Sequence, residues 1–364
     1  MNERRAVRIV EYAVAVTIVA ILVSEILLYT PPGPSGVQAS ASIMDFGNSI
    51  RVDYSILTGV YGHFSIGIYD RNSTIPVSTI YYYFDNAYPS SWSTPLWWGT
   101  LPDHLATVAA ARGYPLSIVI LNANQLASFL LRTPNPGTLL ILASGVLPDT
   151  VFTNSTNLVK PWILEGGDLV WMGARIGYWS GLPNQPLQGD AYVGNNGTNE
   201  FLPISDFGDG AATFAGRSTF SQFLNFSEET TPAGSGLSVA AVTSAGGTVI
   251  GNIEGKYTNA AIFPQGSGLL DYLSIPLLSD VTGLSISLLN LVETGVLVAP
   301  VTLLSTSAIG TVSDVRLTAS INSNIPPLNL YPVSDSQVCF AAFQTDYLAP
   351  YGFNECVAAS TVVQ

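Results

Sequence analysis

Between residues 79 and 173 the chain repeatedly exchanges a strand rhythm for a helical one, and no other feature narrows its fold as much. "TIYYYFD" is, up to its final Asp85, an unbroken run of β-branched and aromatic residues, the composition of a strand buried on both faces. "LPDHLATVAAARG" then places Leu101, Leu105 and Val108 on one helical face, with Pro102 near its start and Gly113 at its end. "PLSIVIL" reads as the next strand, and "NANQLASFLL" as a helix in which Asn122 caps the first turn and Gln125 completes a capping box. "GTLLILAS", the helix "TNLVKPWILEGG" stopped at Gly166, and the strand "DLVWMG" continue the series. Strands return roughly every 25–30 residues, the spacing of parallel neighbours joined by crossover helices rather than of hairpins. The expected class is α/β with a parallel sheet.

The flanks differ. In residues 38–78, "SIRVDYSIL" and "HFSIGIYD" alternate with period two around "TGVYG", the pattern of a β-hairpin. Residues 298–364 repeat the alternation in "APVTLLSTSAIG" and "DVRLTASIN" before a proline-rich stretch and two cysteines. Two β-rich flanks around a different middle predict one module assembled from both ends, with the α/β domain, residues 79–297, inserted between them. Inside that domain residues 178–235 are rich in Gly, Asn, Ser and Pro, with isolated Phe201, Phe207, Phe214 and Phe220, and read as a long surface loop. "GGTVIGNI" and "YTNAAIFPQGSGLLDYLSIPL" resume strands. "LSISLLNLVETGVL" closes with Leu284, Leu288, Leu291 and Val292 on one helical face.

The amino-terminal segment, residues 1–30, sets Arg4, Arg5 and Arg8 before an apolar run from residue 12 to 29. Such a run rises about 27 Å as a helix, close to the ~30 Å hydrocarbon core of a bilayer. Basic flanks stay cytoplasmic. The expectation is a single-pass protein of the cell membrane, with the bulk of the chain extracytoplasmic beyond a Pro/Gly spacer at residues 31–37 and membrane lipid as a partner. Two other fates are open. "RRAVRIVEYAVAV" resembles an archaeal type IV pilin-like signal; a cut between Ala6 and Val7 would make Glu11 the fifth mature residue and imply a filament subunit, although Arg8 departs from that pattern. Cleavage after Ala41 in "ASA" would release the chain.

Composition agrees with export. Charged residues make up 10 % and the net charge is −13; with a pI near 4.3 this suits an acidic medium. Nothing basic clusters beyond the first eight residues, which excludes nucleic acid as a partner. Cys339 and Cys356, the chain's two cysteines, are expected to form a disulfide outside the cell, closing a loop of ~17 residues for roughly 3 kcal/mol. Sequons at Asn72, Asn154, Asn196 and Asn225 make it a candidate glycoprotein.

The order from "ILASGVLPD" through the "GG" turn to "LVWMG", with "AAIFPQGSGLLDYLSIPL" and a closing helix after it, resembles the class I glutamine amidotransferase-like group. The likeness covers about 200 residues and implies a flavodoxin-like sheet. Catalytic members carry Cys in a G-x-C-x-G elbow and a later His as its base. In "GARIG" the elbow position is Arg175, between Gly173 and Gly177. The histidines, His63 and His104, lie upstream, and both cysteines lie beyond the α/β region, so no thiol–imidazole pair can form as the chemistry requires. Ser144 and Ser180 likewise have no downstream histidine. The resemblance therefore implies a scaffold without its nucleophile, and no catalytic residue, cofactor or metal is expected.

A guanidinium at the carboxyl end of a parallel strand lies where such sheets bind ligands, and Arg175 is the candidate binding residue, for a carboxylate or an acidic sugar. Its alternatives are a salt bridge to a local Asp such as Asp149 or Asp168, or simple exposure. "SDFGDG" lacks the ligand spacing of a calcium loop and reads as a turn. Tyr88, Trp92, Trp97 and Trp98 read as core, with sugar stacking as the alternative. The expected function is a non-catalytic structural or interaction protein of the cell surface, partnered by other surface proteins or glycans, or by its own copies in a homo-oligomer or filament. The alternatives are a carbohydrate-binding or hydrolytic enzyme using Asp206 and Asp209, and a pilin-like subunit.

Overall fold

The computed structural model describes residues 37–45, 50–58, 62–71, 76–91, 95–187, 193–208, 213–226, 231, 234–275, 281–299, 301–312, 316–323, 337–344 and 352–358. Among them no helix is long and apolar enough to cross a membrane; the apolar run at residues 12–29 lies outside them. They form a mixed α/β fold around a mostly parallel seven-stranded sheet.

Its strands, numbered along the chain, are β1 (Thr79–Tyr83), β2 (Ser117–Leu121), β3 (Thr138–Leu142), β4 (Asp168–Met172), β5 (Thr248–Val249), β6 (Ala260–Gln265) and β7 (Gly268–Leu273). They lie in the order 2-1-3-4-7-6-5. Strands 2, 1, 3, 4 and 7 are parallel, and β6 and β5 join by antiparallel pairing. Every residue of β4 is buried, as a central parallel strand requires.

Helices α1 (Pro95–Arg112), α2 (Ala123–Leu130), α3 (Val159–Leu164) and α7 (Val281–Thr294) cover the two faces. The α2 face holds Tyr81 of β1 against Phe129, 4.4 Å between ring centres, and Phe129 against Trp162 of α3 at 5.5 Å. The capping box at Asn122 and Gln125 is formed. On the opposite face Tyr82 points at α1, which packs beside α7.

Helix α1 corrects the sequence reading. It starts seven residues before Pro102, which lies inside it. A proline cannot donate to the carbonyl four residues back, here that of Trp98. The buried Tyr82 hydroxyl donates to that carbonyl instead, so a tertiary contact licenses what local propensity forbids. Helix α7 is likewise buried on all sides, Ser285, Ser287, Asn290 and Glu293 included. Glu293 Oε2 accepts from Arg112 Nη1 at 2.8 Å, with the two side chains 7 % and 2 % exposed.

Both ends of the chain build the same β sheets. Gly62–Arg71 lies between Val301–Val312 and Gln337–Gln344, with Gly352–Ala358 outermost. Ile50–Thr58 lies between Val37–Asp45 and Arg316–Ser323. The expected hairpin between Ile50–Thr58 and Gly62–Arg71 is therefore absent: the two neighbours in sequence belong to different sheets and take distant partners. Cys339 is disulfide-bonded, and its register partner is Cys356, the other cysteine.

The described residues between 178 and 235 form more regular structure than the loop expected. They contribute α4 (Asn195–Phe201) and α5 (Thr219–Phe223), and they share a small five-stranded sheet with residues 236–258, which also carry α6 (Val239–Ser244). Phe201, Phe214 and Phe223 are buried. Phe223 sits between Tyr69 and Phe343 of the flanking sheet, 5.7 and 5.8 Å away, and its ring occupies the space above Gly67.

Two outcomes test these contacts. Tyr82→Phe leaves the Trp98 carbonyl unpaired and lowers unfolding free energy by about 1–3 kcal/mol in urea titrations. Arg112→Ala strands a buried carboxylate and costs about 3–5 kcal/mol by the same measurement.

Candidate functional site

Parallel α/β sheets bind ligands outside the carboxyl ends of their strands, and the fold opens a cleft there. It has a volume of about 420 Å³ and is lined by Ser90 and Ser91 after β1, by Ala174, Arg175, Tyr178 and Trp179 after β4, and by Leu187 and Ser235.

The turn after β4 is fixed from several sides. Gly173 N–H donates to Leu273 O of β7 at 3.1 Å. Trp171 Nε1 donates to Ala174 O at 2.6 Å. Gly173 and Gly177 both take positive φ, +106° and +75°. A Cβ on Gly173 would lie 2.9 Å from Gly145 Cα, and one on Gly177 2.5 Å from Gly197 O. The glycines that frame Arg175 are thus required by backbone conformation and by close approach of the loop at Gly145 and of helix α4 at Gly197.

Arg175 itself is half-buried. Its Nε donates to Gly234 O at 2.5 Å and its Nη1 to Asn195 Oδ1 at 3.0 Å. The guanidinium lies 4.3 Å from the Phe207 ring centre and 5.9 Å from that of Tyr178, a stacked cation–π arrangement. Among the described residues no carboxylate pairs with it. The two acids weighed as partners are elsewhere. Asp149 accepts from the Tyr88 hydroxyl at 2.9 Å, and Asp168 is at the other end of β4. Asp85, at the tip of β1, accepts the N–H groups of Ala87 and Ala123.

The described lining contains no histidine, cysteine or carboxylate. Ser144 and Ser180 are buried and donate to Val146 O and Phe152 O. Tyr272, behind the cleft, donates to Ser235 O at 3.4 Å. Burial raises its phenol, against weaker lowering by hydrogen bonds and the Arg175 charge, so it stays neutral. His104 is an exposed helix residue 3.4 Å from Thr282; the side chain of His63 lies outside the described residues. The lining can hold, orient and neutralise an anion.

The remaining candidates separate. Asp206 pairs with exposed Lys256 at 3.6 Å and is absent from the cleft lining; Asp209 lies outside the described residues. Among those residues no group of three or more metal-ligating side chains forms. Tyr88 and Trp98 are core; the side chains of Trp92 and Trp97 lie outside the described part. Of the sequons, Asn154 is exposed in a turn closed by Thr153 N–H to Thr156 O, and Asn196 is exposed in α4. Asn225 is 3 % exposed, and its φ of +47° turns the chain after α5 into buried Phe226. Asn72 lies outside the described residues.

Sequence reading missed Asn195, Phe207 and Gly234, which hold the guanidinium, because they are 20 to 59 residues away along an aperiodic segment. No protein-family model matches the chain, and no curated protein matches it either.

Gly173→Ala tests how far the turn depends on its backbone. The substitution forces a side chain into a positive-φ position against Gly145, and a loss on the order of 1–3 kcal/mol is expected in thermal or urea unfolding.

Proposed function

We propose that the chain is a non-catalytic recognition protein of the cell surface, anchored by the apolar run at residues 12–29, whose α/β domain receives an acidic saccharide at the strand tips. The observation that carries this reading is Arg175: a stacked, half-buried guanidinium facing a cleft, with no carboxylate partner among the described residues. Burying such a charge is costly unless something neutralises it. A guanidinium matches a carboxylate in a two-pronged geometry that an ammonium does not.

The neighbours fit the rest of the ligand. Trp179 and Tyr178 offer aromatic surface for a sugar ring, Ser90, Ser91 and Ser235 offer polar contacts, and about 420 Å³ suits one or two sugar units. The order 2-1-3-4-7 follows the flavodoxin-like doubly wound pattern, which supports an amidotransferase-like scaffold retained without its nucleophile. The flanking sheets built from both chain ends would hold that domain on the outer side, within a surface assembly.

Titration of full-length protein with uronic-acid oligosaccharides tests the reading. Arg175→Ala should weaken binding at least tenfold, since a charge-assisted hydrogen bond contributes about 1.5–3 kcal/mol. Arg175→Lys should recover part of it. Equal affinity of wild type and Arg175→Ala, or equal binding of neutral oligosaccharides, refutes the assignment.

A further inference from the structure

The cleft makes no use of the most costly polar groups in the sheet. Asp271 of β7 is fully buried, and neither carboxyl oxygen has a hydrogen-bond partner. Asp168 of the adjacent β4 is 7 % exposed. Leu269 is the register partner of Asp168, and Val170 that of Asp271, so the two acids are diagonal neighbours on one face of two parallel strands. It is the face of Tyr82, toward α1, because Tyr82, Ile141, Val170 and Asp271 follow one another across the sheet.

No described cation compensates them. Neither acid forms an ion pair among the described residues. Strands β3 and β6 contain no ionisable residue. On α7 the ionisable group is Glu293, which is paired with Arg112 of α1. The other ionisable residues of α1, Asp103 and His104, are exposed. Lys160 of α3 donates to Gln265 Oε1 at 2.5 Å. Two ionised carboxylates cannot be held so close in a dry interior without a counter-charge.

We propose that Asp168 and Asp271 form a buried proton store, carried as neutral carboxyls, which links the folded state to an acidic medium. Burial drives both groups in that direction, Asp168 to about 8 and Asp271 well above the ordinary carboxylate range, where the neighbouring Asp168 adds to the effect. The unfolded chain releases these protons near the usual carboxyl value of about 4. The contribution to stability is therefore complete below that value; that of Asp168 is lost as pH rises toward about 8, and that of Asp271 also falls as pH rises from the same starting point.

Urea unfolding of the full-length chain between pH 4 and pH 8.5 tests this, with wild type compared to Asp271→Asn, Asp168→Asn and the double variant. In wild type the folding constant should fall by up to tenfold per pH unit for each acid. Each Asn variant should flatten the slope and gain on wild type above pH 7, and the double variant should be flattest. Glu293 contributes equally to all four proteins and cancels. Unchanged slopes in the variants overturn the proposal. If the variants do not fold, the infrared spectrum of wild type at pH 7 decides. A protonated carboxyl band that survives exchange into heavy water supports the store, and its absence overturns it.

Discussion

The centre of a parallel sheet of this kind has to be dry on both faces, and most of the structure follows from that demand. Strand β4 is buried along its whole length, so neither face can be left to solvent. On one side α2 and α3 close over Tyr81 through Phe129 and Trp162. On the other, α1 and α7 complete the layer, and α7 is consequently buried even at its polar positions. The same dryness makes the Tyr82 hydroxyl bond to the Trp98 carbonyl worth having and leaves Asp271 without solvent.

The strand tips obey a different logic. Backbone there is bent by glycines at positive φ and closely packed, and several polar groups near it bond within the fold. Asp85 holds the start of α2, Asp149 receives Tyr88, and Ser144 and Ser180 bond to main chain. Arg175 is the group that combines charge, access to a cleft and a rigid mount. Among the described lining residues it is the charged one, with Tyr178 and Trp179 beside it.

Much of this was legible in sequence where local rules act alone. The four strands from Thr79 to Met172 and the Asn122–Gln125 cap follow from period, composition and short-range hydrogen bonding. The glycines around Arg175 marked the turn. What failed did so for reasons of distance. Pro102 signals a helix start, yet the helix continues through it because Tyr82 serves the orphaned carbonyl. Alternation in Ile50–Thr58 and Gly62–Arg71 specifies strands but not partners. Residues 178–235 have no period because their order comes from anchors such as Phe201 and Phe223, each seated against another part of the fold.

The sequence by itself determined the α/β class, the central parallel strands and the arginine between two glycines after β4, since these depend on residue identity and on spacing along the chain. Only the tertiary structure decided which strands share a sheet, what surrounds Arg175, and that Asp168 and Asp271 lie together in the interior. Those outcomes depend on which surfaces exclude water from one another, and that is a property of the packed whole.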